Sequence, residues 1–311
     1  MPSLRSLQLR TLHVDGTAGP PASIRRLTAD LAMQLPWDQL DGSLALLLPA
    51  LEQLHASTDQ EDDPSLPYTQ LVLRALCSHT SMQRLSHTAG YSSDAALRPW
   101  VHELPWRSLP RLRALELSGV RAELLGALLE DVSSGCCQLE ELQLHSVCTP
   151  GIDAPAGSSL AQGLPALAGA PCRHSLRRVN ISLRASDATP PLLPTPAQVA
   201  PLLLPGALPQ LQELQLNITV RAGSLLQGGS GAGSARRSSH EAPPGGPRQY
   251  LQALVGGLEE AGVQGLCGFW LMGGVNSVLD DEGSAAANVR WVRYEGCAGR
   301  CRLSGQLWMV W

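Results

Sequence analysis

Leucines recur along this chain with a fixed local spacing. The pattern L-x-x-L-x-L, often preceded by L-P-x, occurs at Leu4/Leu7/Leu9, Leu112/Leu115/Leu117, Leu139/Leu142/Leu144, Leu176/Val179/Ile181 and Leu211/Leu214/Leu216. A degenerate copy stands at Leu266/Phe269/Leu271, and partial copies at Leu51/Leu54 and Met82/Leu85. The stretch LPRLRALELSGV (Leu109–Val120) returns almost intact as LPQLQELQLNITV (Leu208–Val220). Within each copy x-L-x-L alternates polar and apolar, the period of a strand whose successive side chains point to opposite faces. Each copy therefore predicts a short strand with its leucines inward. Successive copies start 27 residues apart from Leu112 to Leu139, then 37 to Leu176 and 35 to Leu211, so the repeat unit is the shorter step and the others carry insertions.

Between the strands the apolar period changes to that of a helix. In RAELLGALLEDVSS, Leu124, Leu125, Leu128, Leu129 and Val132 form one stripe. Similar stripes predict helices over Ile24/Leu27/Leu31/Leu35, with Ser23 as N-cap, and over Leu251/Leu254/Val255/Leu258. Strand alternating with helix implies a parallel sheet with helices on one side. A buried leucine is worth roughly 1.5–3 kcal/mol. A few of them per unit cannot offset about 1–2 kcal/mol of backbone ordering for every residue, so the units must stack.

Taken together, these motifs resemble the leucine-rich repeat family, specifically its ribonuclease-inhibitor-like subclass, over roughly two thirds of the chain. The resemblance implies an α/β solenoid: a curved parallel sheet with convex helices, here with irregular insertions. It also implies a non-enzymatic module that binds another protein on its concave strand face. One position departs from the family, which places Asn or Cys three residues after the last strand leucine. Here those positions hold Leu12, Val120, Val147, Arg184 and Thr219.

Composition divides the chain into a repeat block, 1–221, a flexible Gly/Ser/Pro linker or insertion, 222–247, and a C-terminal part, 248–311. The last part holds the degenerate repeat and a tryptophan-rich end, read as a hairpin capping the repeats or as an appended tail. DQEDDP (59–64) reads as a solvated acidic loop, and Arg236-Arg237-Ser238-Ser239 as a basic spot in the linker that resembles a kinase site.

Charge and residue types narrow the chemistry. The net charge of -4 and scattered arginines give no basic stripe for nucleic acid. There is no lysine, which excludes phosphate-loop, Schiff-base and kinase-type lysine chemistry. Leu44–Leu51 is too short to cross a bilayer, so no membrane partner is expected. The eight cysteines show no CxxC pair and the start shows no secretory profile, which reads as reduced thiols in the cytoplasm or nucleus. Neither Cys297-x-x-x-Cys301 nor the loose group Cys136, Cys137, Cys148, Cys172 and His174 has metal-ligand spacing. No metal, cofactor or catalytic motif is expected.

What remains is the outward strand face, read by register. Its central column runs Gln8, Glu116, Gln143, Asn180, Gln215, Trp270. One flank runs Glu141, Arg178, Glu213 and predicts a self-neutralising charge ladder; the other runs Arg10, Ser118, His145, Ser182, Asn217. The candidate binding residues are Glu116, Glu141, Gln143, His145, Arg178, Asn180, Glu213, Gln215 and Asn217. Two alternatives stand beside the interaction module. A substrate-recognition subunit of a ubiquitin-ligase-type assembly needs an adaptor-binding helix pair, and Leu35–Leu47 resembles the start of one, though it follows the first strand. A small hydrolase needs a nucleophile beside a base, and His145 near Ser146 or Cys148 is the nearest arrangement.

Overall fold

A computed structural model describes residues 6–9, 25–30, 50–58, 80–89, 106, 109–121, 125–147, 160–184, 195–221, 246–278 and 287–310. The acidic stretch 59–64, the segment 222–245, Leu35–Leu47, Arg10, Cys148 and 280–282 lie outside the described residues.

Eleven strands form one mixed sheet. Eight follow one another in parallel: β1 (Ser6–Leu9), β2 (Arg26–Asp30), β3 (Gln53–Thr58), β4 (Arg84–Ala89), β5 (Ala114–Arg121), β6 (Glu141–Val147), β7 (Arg178–Arg184) and β8 (Glu213–Arg221). Then β9 (Leu266–Val278), β10 (Ala287–Ala298) and β11 (Cys301–Val310) run as an antiparallel meander. The meander is folded back so that β11 lies parallel to β8, giving the order β1 to β8, then β11, β10, β9.

Both leucines of the x-L-x-L unit face inward, as the period-two pattern requires. Leu54, Leu85, Leu115, Leu142, Val179, Leu214 and Leu303 are buried and register with one another across seven strands. The LPxL segment before a strand is a turn. The N–H of Leu112 donates to the carbonyl of Leu109, and that of Leu211 to Leu208, each at 3.1 Å. The two near-identical stretches thus occupy one structural position.

Four helices are described: α1 (Leu125–Gly135), α2 (Leu160–Gly169), α3 (Pro196–Leu203) and α4 (Gly246–Glu260). They fall between consecutive strands from β5 to β9, and each packs against the next. Their apolar stripes (Leu128, Leu129 and Val132; Leu164 and Leu167; Val199 and Leu202; Leu251, Leu254 and Leu258) join the inward strand residues in one buried core. At the start of α3, Gln198 Oε1 accepts from the N–H of Thr195 at 2.7 Å, satisfying a donor that has no partner within the helix. Among the described residues, no helix is long and apolar enough to cross a membrane.

A serine links neighbouring units at two places. Ser175 Oγ donates to the carbonyl of Leu139 at 2.8 Å, and Ser81 Oγ to that of Leu51 at 3.0 Å. Each serine precedes the first apolar position of its own unit (Leu176 and Met82) and reaches the first leucine of the unit before.

Two expectations need correction. The helix predicted from Ser23 through Leu35 is interrupted by β2, which pairs with β1 and β3 over Arg26–Asp30. Ile24/Leu27/Ala29 is itself a copy of the repeat, with Leu27 registered between Leu7 and Leu54; four apolar residues fit either period, and the ladder on both sides decides. The degenerate copy at Leu266 does form a strand, but β9 pairs only with β10 at the far edge of the sheet. The place beside β8 belongs to β11, whose Leu303 and Leu307 register with Leu214 and Ile218.

The C-terminal hairpin therefore covers the open edge of β8. Its turn is Gly299-Arg300, with Gly299 at φ 61 in the first loop position, where a type II′ turn requires positive φ. Helix α4 begins at Gly246, inside the segment read as linker, and the strands after it belong to the same sheet as β1–β8.

Candidate functional site

Successive residues of a strand alternate between the core and the opposite face, and register, shifted only after Ser118 and Glu295, aligns the outward positions into rows. The central row crosses the whole sheet: Gln8, Thr28, His55, Ser86, Glu116, Gln143, Asn180, Gln215, Ser304, Glu295, Trp270. All six members read from the sequence fall on it. Trp270 does so by way of the meander, three strands beyond Gln215. The row also holds Thr28, His55 and Ser86, which the partial copies on β2–β4 concealed. Extending the pattern by one residue past Leu54 and Leu85 would have found the last two.

Three of these residues form a hydrogen-bonded line over adjacent strands. Ser86 Oγ donates to Glu116 Oε2 at 3.0 Å and lies 2.7 Å from His55 Nδ1. Ser86 is buried, Glu116 half-buried and His55 exposed. Further along, Asn217 Nδ2 donates to Ser182 Oγ at 3.2 Å and to Asn180 Oδ1 at 3.5 Å, while Gln215 Nε2 donates to Asn217 Oδ1 at 3.4 Å. Some of the amides are thus partly engaged with one another while remaining half-exposed.

The predicted ladder Glu141–Arg178–Glu213 is displaced by one carboxylate. Glu141 Oε1 takes Arg178 Nη2 at 2.8 Å, and its other oxygen takes Arg84 Nη2 at 2.9 Å. Arg84 stands two strands away, and the intervening row position is Ala114, short enough for the guanidinium to pass over. Arg302, the other neighbour of Glu213 in the row, turns to Glu295 at 2.8 Å. Among the described residues, no ion pair joins Glu213 or Glu116.

His145 lies in the second flank row between Ser118 and Ser182. Ser146 follows it on the same strand, registered with Leu183. Of the cysteine and histidine group, Cys136 and Cys172 are buried, whereas Cys137 and His174 are exposed. Cys136 Sγ donates to the carbonyl of Trp106 at 3.7 Å, and His174 Nε2 accepts from Arg173 Nε at 3.0 Å. Burial pushes the Cys172 thiol up to about 11 and the Cys301 thiol up to about 12, which holds both as protonated thiols at neutral pH.

One inward position breaks the apolar rule. His87 registers between Ala56 and Leu117 in a core row and is fully buried. Neither ring nitrogen has a hydrogen-bond partner among the described residues. Desolvation, with a smaller contribution from the nearby His55, lowers its pKa to about 4, so the ring is neutral at physiological pH.

No protein-family model matches the chain, and a search of curated proteins finds no significant match.

Proposed function

We propose that the chain is a leucine-rich-repeat solenoid of the ribonuclease-inhibitor-like type that serves as a non-enzymatic protein-interaction module, binding another protein on its polar strand face. The observation that carries this reading is the central row. Polar residues fall in register from β1 to β8 and β11, and from β3 onward they lie over an inner face of buried leucines. A protein that needed this face only for solubility would be served by scattered charges. An amide-rich row supplies both donors and acceptors, suited to reading a partner's backbone and polar groups.

The test is affinity co-purification from native lysate, comparing the wild type with a Gln143→Ala/Asn180→Ala/Gln215→Ala variant of matched helical content. The reading expects a protein recovered with the wild type and lost with the variant. Equal recovery would place the contact elsewhere and end the strand-face proposal.

A further inference from the structure

We infer that the hydrogen-bonded line His55–Ser86–Glu116 on the strand face receives an arginine side chain from the protein partner; this deepens the strand-face proposal and rests on it.

The argument begins with one proton. The Ser86 hydroxyl has a single hydrogen, and it goes to Glu116 Oε2. At 2.7 Å from Ser86 Oγ, an unprotonated Nδ1 would set two lone pairs against each other, so Nδ1 carries a proton and donates it to Ser86. A neutral imidazole protonated at Nδ1 has a bare lone pair at Nε2. The line therefore fixes the His55 tautomer. It leaves two acceptors, His55 Nε2 and the second oxygen of Glu116, on either side of a serine that is the smallest of the three.

The second argument is charge. Glu116 carries a formal negative charge with no counter-ion among the described residues. Arg84, on the same strand as Ser86, has its guanidinium held by Glu141 at 2.9 Å. Arg178 is held by the same carboxylate at 2.8 Å. The line thus presents acceptors and negative charge with no cation paired to Glu116 among the described residues. A guanidinium is planar, permanently charged and all donor, so one group can serve acceptors on both sides of the serine. An ammonium offers only a point charge, and a carboxylate or phosphate would be repelled by Glu116.

The experiment uses the full chain with ¹⁵N-labelled histidine and two probes, the capped tripeptide Gly-Arg-Gly and its citrulline twin, which keeps the shape and loses the charge. The expected result is a His55 ring protonated at Nδ1, with Nε2 shifted by the arginine peptide and not by the citrulline one. Glu116→Gln, close in shape to the native residue, should weaken the arginine peptide roughly ten- to a hundredfold. A His55 ring protonated at Nε2, equal responses to both peptides, or no response to either would overturn the inference. Co-purification separates its failure from that of the wider reading. A partner lost with the Gln143/Asn180/Gln215 variant but kept by Glu116→Gln defeats the arginine site alone.

Discussion

Tyr294 donates its hydroxyl proton to the backbone carbonyl of Leu216 at 3.0 Å, although a whole strand, β11, lies between them. The crossing is possible because the residue registered between the two is Gly305. A Cβ on Gly305 would collide with the Leu216 carbonyl and stand 2.7 Å from the Tyr294 hydroxyl. Three strands are thereby joined by one buried hydrogen bond over one missing methyl group.

Replacing that glycine should therefore open the joint between the parallel strands and the hairpin. Gly305→Ala is expected to lower unfolding stability by about 2–3 kcal/mol, since the backbone carbonyl cannot rotate out of the ladder. Tyr294→Phe removes only the hydrogen bond and should cost about 1–2 kcal/mol. Urea denaturation of both variants checks the order; an alanine tolerated better than the phenylalanine would contradict the packing described.

His87 should make the protein acid-sensitive. Unfolded, its imidazole titrates near the ordinary histidine value of 6.5; folded, at about 4. Above 6.5 the ring is neutral in both states and its burial causes no loss. As pH falls from 6.5 to 4 the unfolded chain takes up a proton that the folded chain refuses, and stability drops by about 3 kcal/mol. His87→Leu, which removes both unpartnered nitrogens, should raise stability at neutral pH by about 1–3 kcal/mol and flatten this part of the acid limb. Melting curves across the range measure both, and an unchanged acid limb in the variant would assign the sensitivity to other groups.

The serine links predict a small, local loss. Ser175→Ala should cost about 1 kcal/mol, and its amide-exchange signature should be faster exchange where β6 and β7 meet. Unchanged exchange there would mean that the hydroxyl bonds add nothing to unit stacking.

Removing the shared carboxylate tests the displaced ladder. Glu141→Gln should cost no more than about 1 kcal/mol, because the arginine side chains it holds are 50% and 58% exposed. Its larger effect is electrostatic, freeing two guanidinium groups beside the central row. Binding of an arginine peptide near Glu116 should weaken, and a tighter complex would count against that placement.

Much of this was legible in the residues. The strands with complete copies, β1 and β5 to β8, and the helices α1 and α4 follow from the spacing of leucines alone. Register then places Glu116, Gln143, Asn180 and Gln215 in one row, because a repeat fixes both period and facing. What stayed hidden had a physical cause each time. β2 reads as a helix because Ile24, Leu27 and Leu31 satisfy its spacing too, and only pairing on both sides selects the strand. His55 and Ser86 follow incomplete copies, so they show as outward positions only when the pattern is carried one residue past Leu54 and Leu85. Arg84 reaches Glu141 only because Ala114 is short, a relation between strands that no single stretch contains. The position of β11 is set by tertiary pairing, and Leu303-x-Gly305-x-Leu307 hides its likeness to the other strands behind a glycine.

The folded-back meander also imposes a timetable. Most strands from β1 to β8 find their neighbour about one unit away in sequence, as Ser86 and Glu116 do at a separation of 30 residues. The joint sealed by Tyr294 and Leu216 spans 78 residues. Closing the longer loop costs about 1 kcal/mol more by chain entropy, and contacts of high sequence separation form slowly. The sheet can thus grow outward strand by strand, while the last edge of β8 stands open until β11 inserts. During that interval the exposed edge can pair with the β11 of another copy as readily as with its own, so crowded synthesis should yield exchanged dimers, and slower production or dilution should favour the monomer.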